Sequence, residues 1–204
     1  MLALALAACQ SLLLAEWTAK SGDVLFRDDF VENSSGWTRL ASPVGIMDYA
    51  NDGYRILVNA PRHDYWSTPG LDFGDMRIEV DAVKLSGPDS NRLGIICRYQ
   101  DEQNFYFFVI SSDGYYGVGK MRGGTYTLLG QEMMAYNAAI QTGGAPNHLR
   151  ADCIGGSLAL YVNDALVGIA QDADFTSGDV GLLAGAFEQA GVDVLFDNFV
   201  VIKP

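Results

Sequence analysis

Few residues in this 204-residue chain are typed and spaced for chemistry. In Glu79-Val80-Asp81-Ala82-Val83-Lys84 two carboxylates alternate with apolar residues, so on a strand both acids project from one face. Such a pair could share acid–base work, or form an ion-paired, solvated face with Arg77. The two histidines, His63 in PRHDYW and His148 at a strand start, have no sequence link to a nucleophile. No G-x-S-x-G elbow, H-E-x-x-H, Walker loop or zinc-spaced cysteine pair is present. The Gly-rich piece GVGKMRGG lacks the strand–loop–helix setting of a phosphate cradle. Trp66 in DYWSTPG, beside Tyr65, is expected in a loop rich in polar groups.

These residues must be held by β-structure. From residue 24 the apolar pattern has period two, with Gly, Asn or Asp breaking it about every ten residues. Tyr54-Ile56-Val58, Met76-Ile78-Val80-Ala82, Leu158-Leu160-Val162 and Val180-Leu182-Ala184 each form one apolar strand face. Asp52-Gly53, Asp113-Gly114, Gly155-Gly156 and Asn163-Asp164 favour hairpin turns. Only Glu132–Ile140 hints at a helical period. Pairing Gln100 with Asn104 and Ser111 with Tyr115 makes Cys97, Phe105, Phe107, Val109 and Gly119 the core face. Ile96, Arg98, Tyr106, Phe108, Ile110, Tyr116, Val118 and Lys120 then share the other face, with Arg98, Tyr106 and Lys120 in one cross-strand row.

A chain with 49% hydrophobic and 19% charged residues is not disordered, and its length suits one domain with a tether. The net charge of -12 repels phosphate backbones and anionic lipid, which argues against nucleic-acid partners and membrane contact through the fold. Residues 1–15 are apolar and uncharged, too short to span a bilayer. Leu6-Ala7-Ala8-Cys9 resembles a bacterial lipobox, although no Lys or Arg precedes it; an ordinary signal peptide and a short helix are the alternatives. The lipobox assigns 1–9 to a signal remnant lipidated at Cys9, 10–23 to a tether and 24–204 to the fold. Membrane association is then through the lipid alone. Cys97 alternates with Leu93 and Ile95, and Cys153 with Leu149 and Ala151. Both thiols point to the apolar side, as a disulfide or as two separate buried thiols, and export favours the bond.

The segments DDFVENSSGW (28–37), ICRYQDEQNFYFFVISSDGYYGVGK (96–120), NHLRADCIGGSLALYVNDALV (147–167) and DVGLLAGAFEQAGVDVLFDNFVV (179–201) resemble the concanavalin A-like lectin/glucanase superfamily. The likeness is nearest the laminin-G-like and 3-keto-disaccharide-hydrolase-like jelly rolls of bacterial lipoproteins. It implies an all-β, two-sheet antiparallel jelly-roll sandwich, with ligands often on the concave face. Laminarinase-type members carry Glu-x-Asp-x-x-Glu; here Lys84 replaces the last acid, leaving no proton donor. The resemblance also implies a structural calcium near the chain ends, on Asp28, Asp29, Asn33 and Asp197; no other cofactor is expected. Sugar recognition would use flat aromatic rings with a few placed polar groups. Trp66 with Arg98, Tyr106, Tyr116 and Lys120 is the candidate platform, against the alternative that these residues are core or loop-covered. The expectation is therefore a lipid-anchored, extracytoplasmic, non-catalytic carbohydrate-binding module. Its rivals are a glycan hydrolase of the same fold and a protein-binding adhesion or assembly module.

Overall fold

The computed structural model describes residues 18–204, so the lipobox and Cys9 lie outside the described residues. The numbered elements among them are all strands. In chain order they are β1 (Val24–Asp28), β2 (Leu40–Ser42), β3 (Gly45–Ala50), β4 (Gly53–Val58), β5 (His63–Ser67), β6 (Met76–Ser86), β7 (Asn91–Asp101) and β8 (Asn104–Ile110). There follow β9 (Tyr115–Arg122), β10 (Thr125–Leu128), β11 (Ala135–Tyr136), β12 (Asn147–Ile154), β13 (Ser157–Val162), β14 (Ala165–Gln171), β15 (Asp179–Ala186) and β16 (Val192–Ile202). The expected helical stretch at Glu132–Ile140 is instead extended: β11 hydrogen-bonds to β9, and local periodicity yields to that pairing.

Two antiparallel sheets stack. The large one has nine strands in the order β14-β13-β12-β6-β16-β4-β3-β2, with β1 beside β16. The small one has seven, ordered β10-β9-β8-β7-β15-β5, with β11 beside β9. Non-consecutive neighbours such as β6 and β16, or β7 and β15, make this the expected jelly-roll sandwich. The period-two faces read from the sequence form its core: Ile56, Ile78, Val80, Leu160 and Leu182 are all fully buried between the sheets. Tight turns follow from residues that tolerate positive φ. Asn51 and Asp52 lie at φ 55° and 53°, and Asn163 and Asp164 at 50° and 68°.

A disulfide joins Cys97 on β7 to Cys153 on β12, linking the small sheet to the large one. Both cysteines are fully buried on the apolar side of their strands.

The β7–β8 register departs from the sequence expectation. Cys97 pairs with Tyr106, whereas Asp101 pairs with Asn104, so β7 holds extra residues between them. Arg98 sits in this bulge at φ 51°, in the left-handed region. The slip exchanges the two faces of β8. Tyr106, Phe108, Ile110 and Val118 join Cys97 in the inter-sheet core. Phe105, Phe107 and Val109 instead form a second apolar layer with Ile96, Met121 and Leu183 on the outer face of the small sheet.

Candidate functional site

That second layer is the base of the candidate site. Strand β5 is the edge of the small sheet, and alternation along His63-Asp64-Tyr65-Trp66-Ser67 sends Asp64 and Trp66 to one side. Trp66 therefore lies on a strand and not in the expected loop. Its ring packs on Phe105 at 5.4 Å, and Phe105 in turn meets Tyr99 at 5.6 Å. The ring is thus braced from beneath while only partly covered. A cleft of about 360 Å³ opens beside it, lined by Trp66, Tyr65, His63, Asp64, Tyr99 and Glu102, with Met47 of β3 and Thr38 from the segment before β2. His63 stands edge-on to Tyr65 at 4.7 Å. Burial raises the Tyr99 phenol, against a hydrogen bond from Trp66, and the nearby Glu102 and Asp101 charges act in the same direction as burial.

Behind the cleft Asp64 forms a 2.8 Å ion pair with Arg92 of β7. The pair crosses β15 at Gly185, where a Cβ would come within 1.8 Å of Asp64 Oδ1. Burial pushes the Asp64 carboxyl up, opposed by the Arg92 charge. The Arg92 guanidinium lies 4.6 Å from the Phe187 ring and 5.6 Å from Tyr126. Its Nε is buried without a hydrogen-bond acceptor.

Of the five expected platform residues, Trp66 alone reaches this cleft. The row of Tyr106 and Lys120 exists, since the two are cross-strand partners, but it faces the interior. Arg98 is 1% exposed and Tyr106 fully buried, which removes both from any surface platform. Tyr106 donates to Asp172 at 2.6 Å, and burial first, then that hydrogen bond, raises its phenol to about 12. Lys120 is clasped by Asp172 and Asp174. Tyr116 packs over Gly168 at the β14 edge, away from Trp66. The bulge at Arg98 accounts for the misplaced residues.

The expected calcium ligands are largely engaged with the chain. Asp28 is buried and accepts from the Phe30 amide at 2.8 Å and from Trp37 Nε1 at 2.9 Å. Asp29 accepts from the Val31 amide and Asp197 from the Asn198 amide, while Asn33 is exposed. Among the described residues, no set of three His, Cys, Asp or Glu side chains is grouped to hold a metal ion.

Glu79 and Asp81 lie on the large sheet, on the face opposite Ile78 and Val80, and so not in the cleft. Asp81 meets His148 Nδ1 at 2.8 Å and accepts from Asn198 at 3.0 Å. Arg77 and Arg150 both hold Asp152. This is the ion-paired strand face. The Lys84 ammonium donates to the Gly87 carbonyl at 3.0 Å and pairs with Asp89.

His63, Asp64, Tyr99 and Glu102 were not read from the sequence as site residues. Period two along β5 carries the signal for Asp64, but nothing local places Tyr99 and Glu102 opposite it.

No protein-family model matches the chain, and no curated protein matches it. Among solved structures, the carbohydrate-binding module CBM66 from Bacillus subtilis superposes with a TM-score of 0.67 at 19% identity, over 84% of this chain and 98% of that one. A Bacillus subtilis protein of unknown function with a galectin-like fold gives 0.63 at 11% identity, covering 90% and 97%. A Bacteroides ovatus GH16 protein, solved with a product of mixed-linkage glucan, gives 0.60 at 11% identity, covering 88% and 99%. At these identities the likeness speaks for the fold alone: the chain has the concanavalin A-like jelly-roll fold.

Proposed function

We propose that this chain is a non-catalytic carbohydrate-binding module, displayed outside the cytoplasm on a lipid attached to Cys9, and that its glycan lies across the Trp66 cleft. The observation that carries the reading is the partly exposed Trp66 ring, braced by Phe105 with Tyr99 beyond it, in a cleft rimmed by His63, Asp64 and Glu102. Sugar C–H faces stack on such rings, and carboxylates and imidazoles bond the hydroxyls. Solved neighbours that include a carbohydrate-binding module and a glucan-active protein support it. The lipobox Leu6-Ala7-Ala8-Cys9 and the disulfide, a bond that persists in oxidising compartments, support export.

The test is a glycan array read with the purified protein and with Trp66→Ala. Retention of a glycan by the wild type, weakened about tenfold or more in the variant (~1.4 kcal/mol), is the expected result. Equal retention removes Trp66 from the site, and turnover of the retained glycan would put the hydrolase first. Fatty-acid labelling of the whole chain, lost in Cys9→Ala, tests the anchor separately.

A further inference from the structure

The small sheet carries a second set of rings that neither core uses. Tyr136 is 63% exposed, Tyr115 41% and Met133 73%. Exposed aromatics on a loop are ordinarily mobile, but these two are held by main-chain bonds. β11 pairs Tyr136 directly against Tyr115, and the rings meet edge-on at 5.8 Å. The Asn137 amide donates to the Gly114 carbonyl at 3.0 Å, and the Gly143 amide to Ser112 at 2.8 Å, so the segment clasps the β8–β9 turn. The Tyr136 ring lies over Gly114, where φ is +97° and an added Cβ would come within 2.8 Å of the ring. A rigid, solvent-facing ring pair loses little entropy on stacking with a ligand.

Beside the rings is a cleft of about 300 Å³ lined by Ser90, Asp113, Tyr115, Met133, Met134 and Phe187. Its lining has serine hydroxyls, one carboxylate and apolar faces, and no basic residue. That chemistry suits an uncharged, hydroxyl-rich ligand and disfavours an anionic one. Phe187 also connects it to the first cleft: Phe187 covers Arg92, Arg92 pairs with Asp64, and Asp64 lines the Trp66 cleft. The two clefts are therefore linked across one sheet face by three side chains in contact.

We propose that Tyr136 and Tyr115 form a second stacking site for a neutral polysaccharide, and that one glycan chain engages both clefts. This rests on the carbohydrate-binding reading and extends it from a single sugar site to an elongated one. Linking two weak sites through one ligand raises avidity without any new contact. A polymer should therefore bridge both sites, and short oligosaccharides should occupy them independently.

The test uses native affinity gels containing mixed-linkage β-glucan, arabinoxylan, galactomannan or fructan, with wild type, Trp66→Ala, Tyr136→Ala and Tyr136→Trp. Calorimetry with the trisaccharide of each retarding polymer accompanies them. Tyr136→Ala should weaken polymer retardation about tenfold and lower the trisaccharide stoichiometry from two per chain to one, while Tyr136→Trp retains both. If Tyr136→Ala matches wild type on every retarding polymer while Trp66→Ala abolishes retardation, the second site is overturned and the Trp66 reading stands. If Tyr136→Ala abolishes retardation and Trp66→Ala is silent, the Trp66 reading fails and the glycan site is here alone. If no neutral polymer retards the wild type, the second site is overturned, whatever the array shows for the Trp66 cleft.

Discussion

The guanidinium of Arg98 donates to the carbonyl oxygen of Cys153, the residue whose sulfur is bonded to Arg98's own neighbour, Cys97. The same side chain donates to Gly155 at 2.8 Å and Phe175 at 2.9 Å, and pairs with Asp75 at 3.0 Å. One bulge residue thus ties β7 to the end of β12 and to the segment before β15.

Replacing Arg98 with Met keeps much of the stem but leaves these carbonyls without donors. Each buried acceptor so stranded costs ~1–3 kcal/mol. The variant should lose ~3 kcal/mol or more in urea unfolding at unchanged m-value. A loss below ~1 kcal/mol would show that the hydrogen bonds contribute little net stability.

The disulfide closes a loop with a sequence separation of 56. Chain-entropy reasoning gives ~4 kcal/mol for a loop of that size. The Cys97→Ala, Cys153→Ala double variant should fall by about that amount, and thiol titration of the denatured, unreduced wild type should find neither of these two cysteines free. Two reactive thiols from these positions would contradict the bond.

Lys120→Met separates stability from ligand binding. Burial pushes the Asp172 carboxyl up, but hydrogen bonds from Lys120 and Tyr106 outweigh it and hold the group below its ordinary value. Burial lowers Lys120, and its bonds to Asp172 and Asp174 win and raise it. The depressed carboxyl contributes stability above about pH 4, lost as pH falls through its folded value. The raised ammonium contributes stability that is lost as pH climbs through its folded value, above about pH 10. The variant should therefore be less stable than wild type by ~1 kcal/mol between those limits, with the gap closing at both ends, in thermal melts across pH. Glycan retention should not change, because Lys120 is held by Asp172 and Asp174 and does not line the Trp66 cleft. Loss of retention would return Lys120 to the site.

Glu79→Gln is expected to be silent in hydrolysis assays on mixed-linkage β-glucan. Glu79 pairs across β6 and β12 with Arg150 on the large sheet, and the nearest His148 nitrogen is 3.8 Å away. Neither residue lines the Trp66 cleft. Turnover by wild type that this substitution abolishes would overturn both the proposed placement of the site and the proposal that the chain is non-catalytic.

Much of the fold was written in the order of residues. Alternation along Met76-Ile78-Val80-Ala82 or Val180-Leu182-Ala184 states which side of a strand is apolar, and burial between two sheets is the one way to satisfy several such faces together. The same parity put Cys97 and Cys153 on the core side, and the contact between β7 and β12 then brought them into bonding range. The Asn163-Asp164 turn was legible because few residues accept its backbone angles, whereas the turn expected at Asp52-Gly53 falls one residue earlier, on Asn51-Asp52, because Gly53 pairs with Ala50. Trp66 was legible as a type of side chain, though not as a position on an edge strand.

The tertiary structure alone decided which face of β8 looks inward. A bulge is specified by no local residue preference here, since Arg98 is not a residue that favours φ 51°; it is held there by acceptors from Gly155, Phe175 and Cys153, far along the chain. Because side chains alternate, that one irregularity turned Arg98 and Tyr106 from expected platform into interior, and placed Phe105 under Trp66. The cleft itself is likewise non-local. Tyr99 and Glu102 come from one hairpin and Asp64 and Trp66 from another strand, and only β15, hydrogen-bonded to both β5 and β7, sets the distance between them.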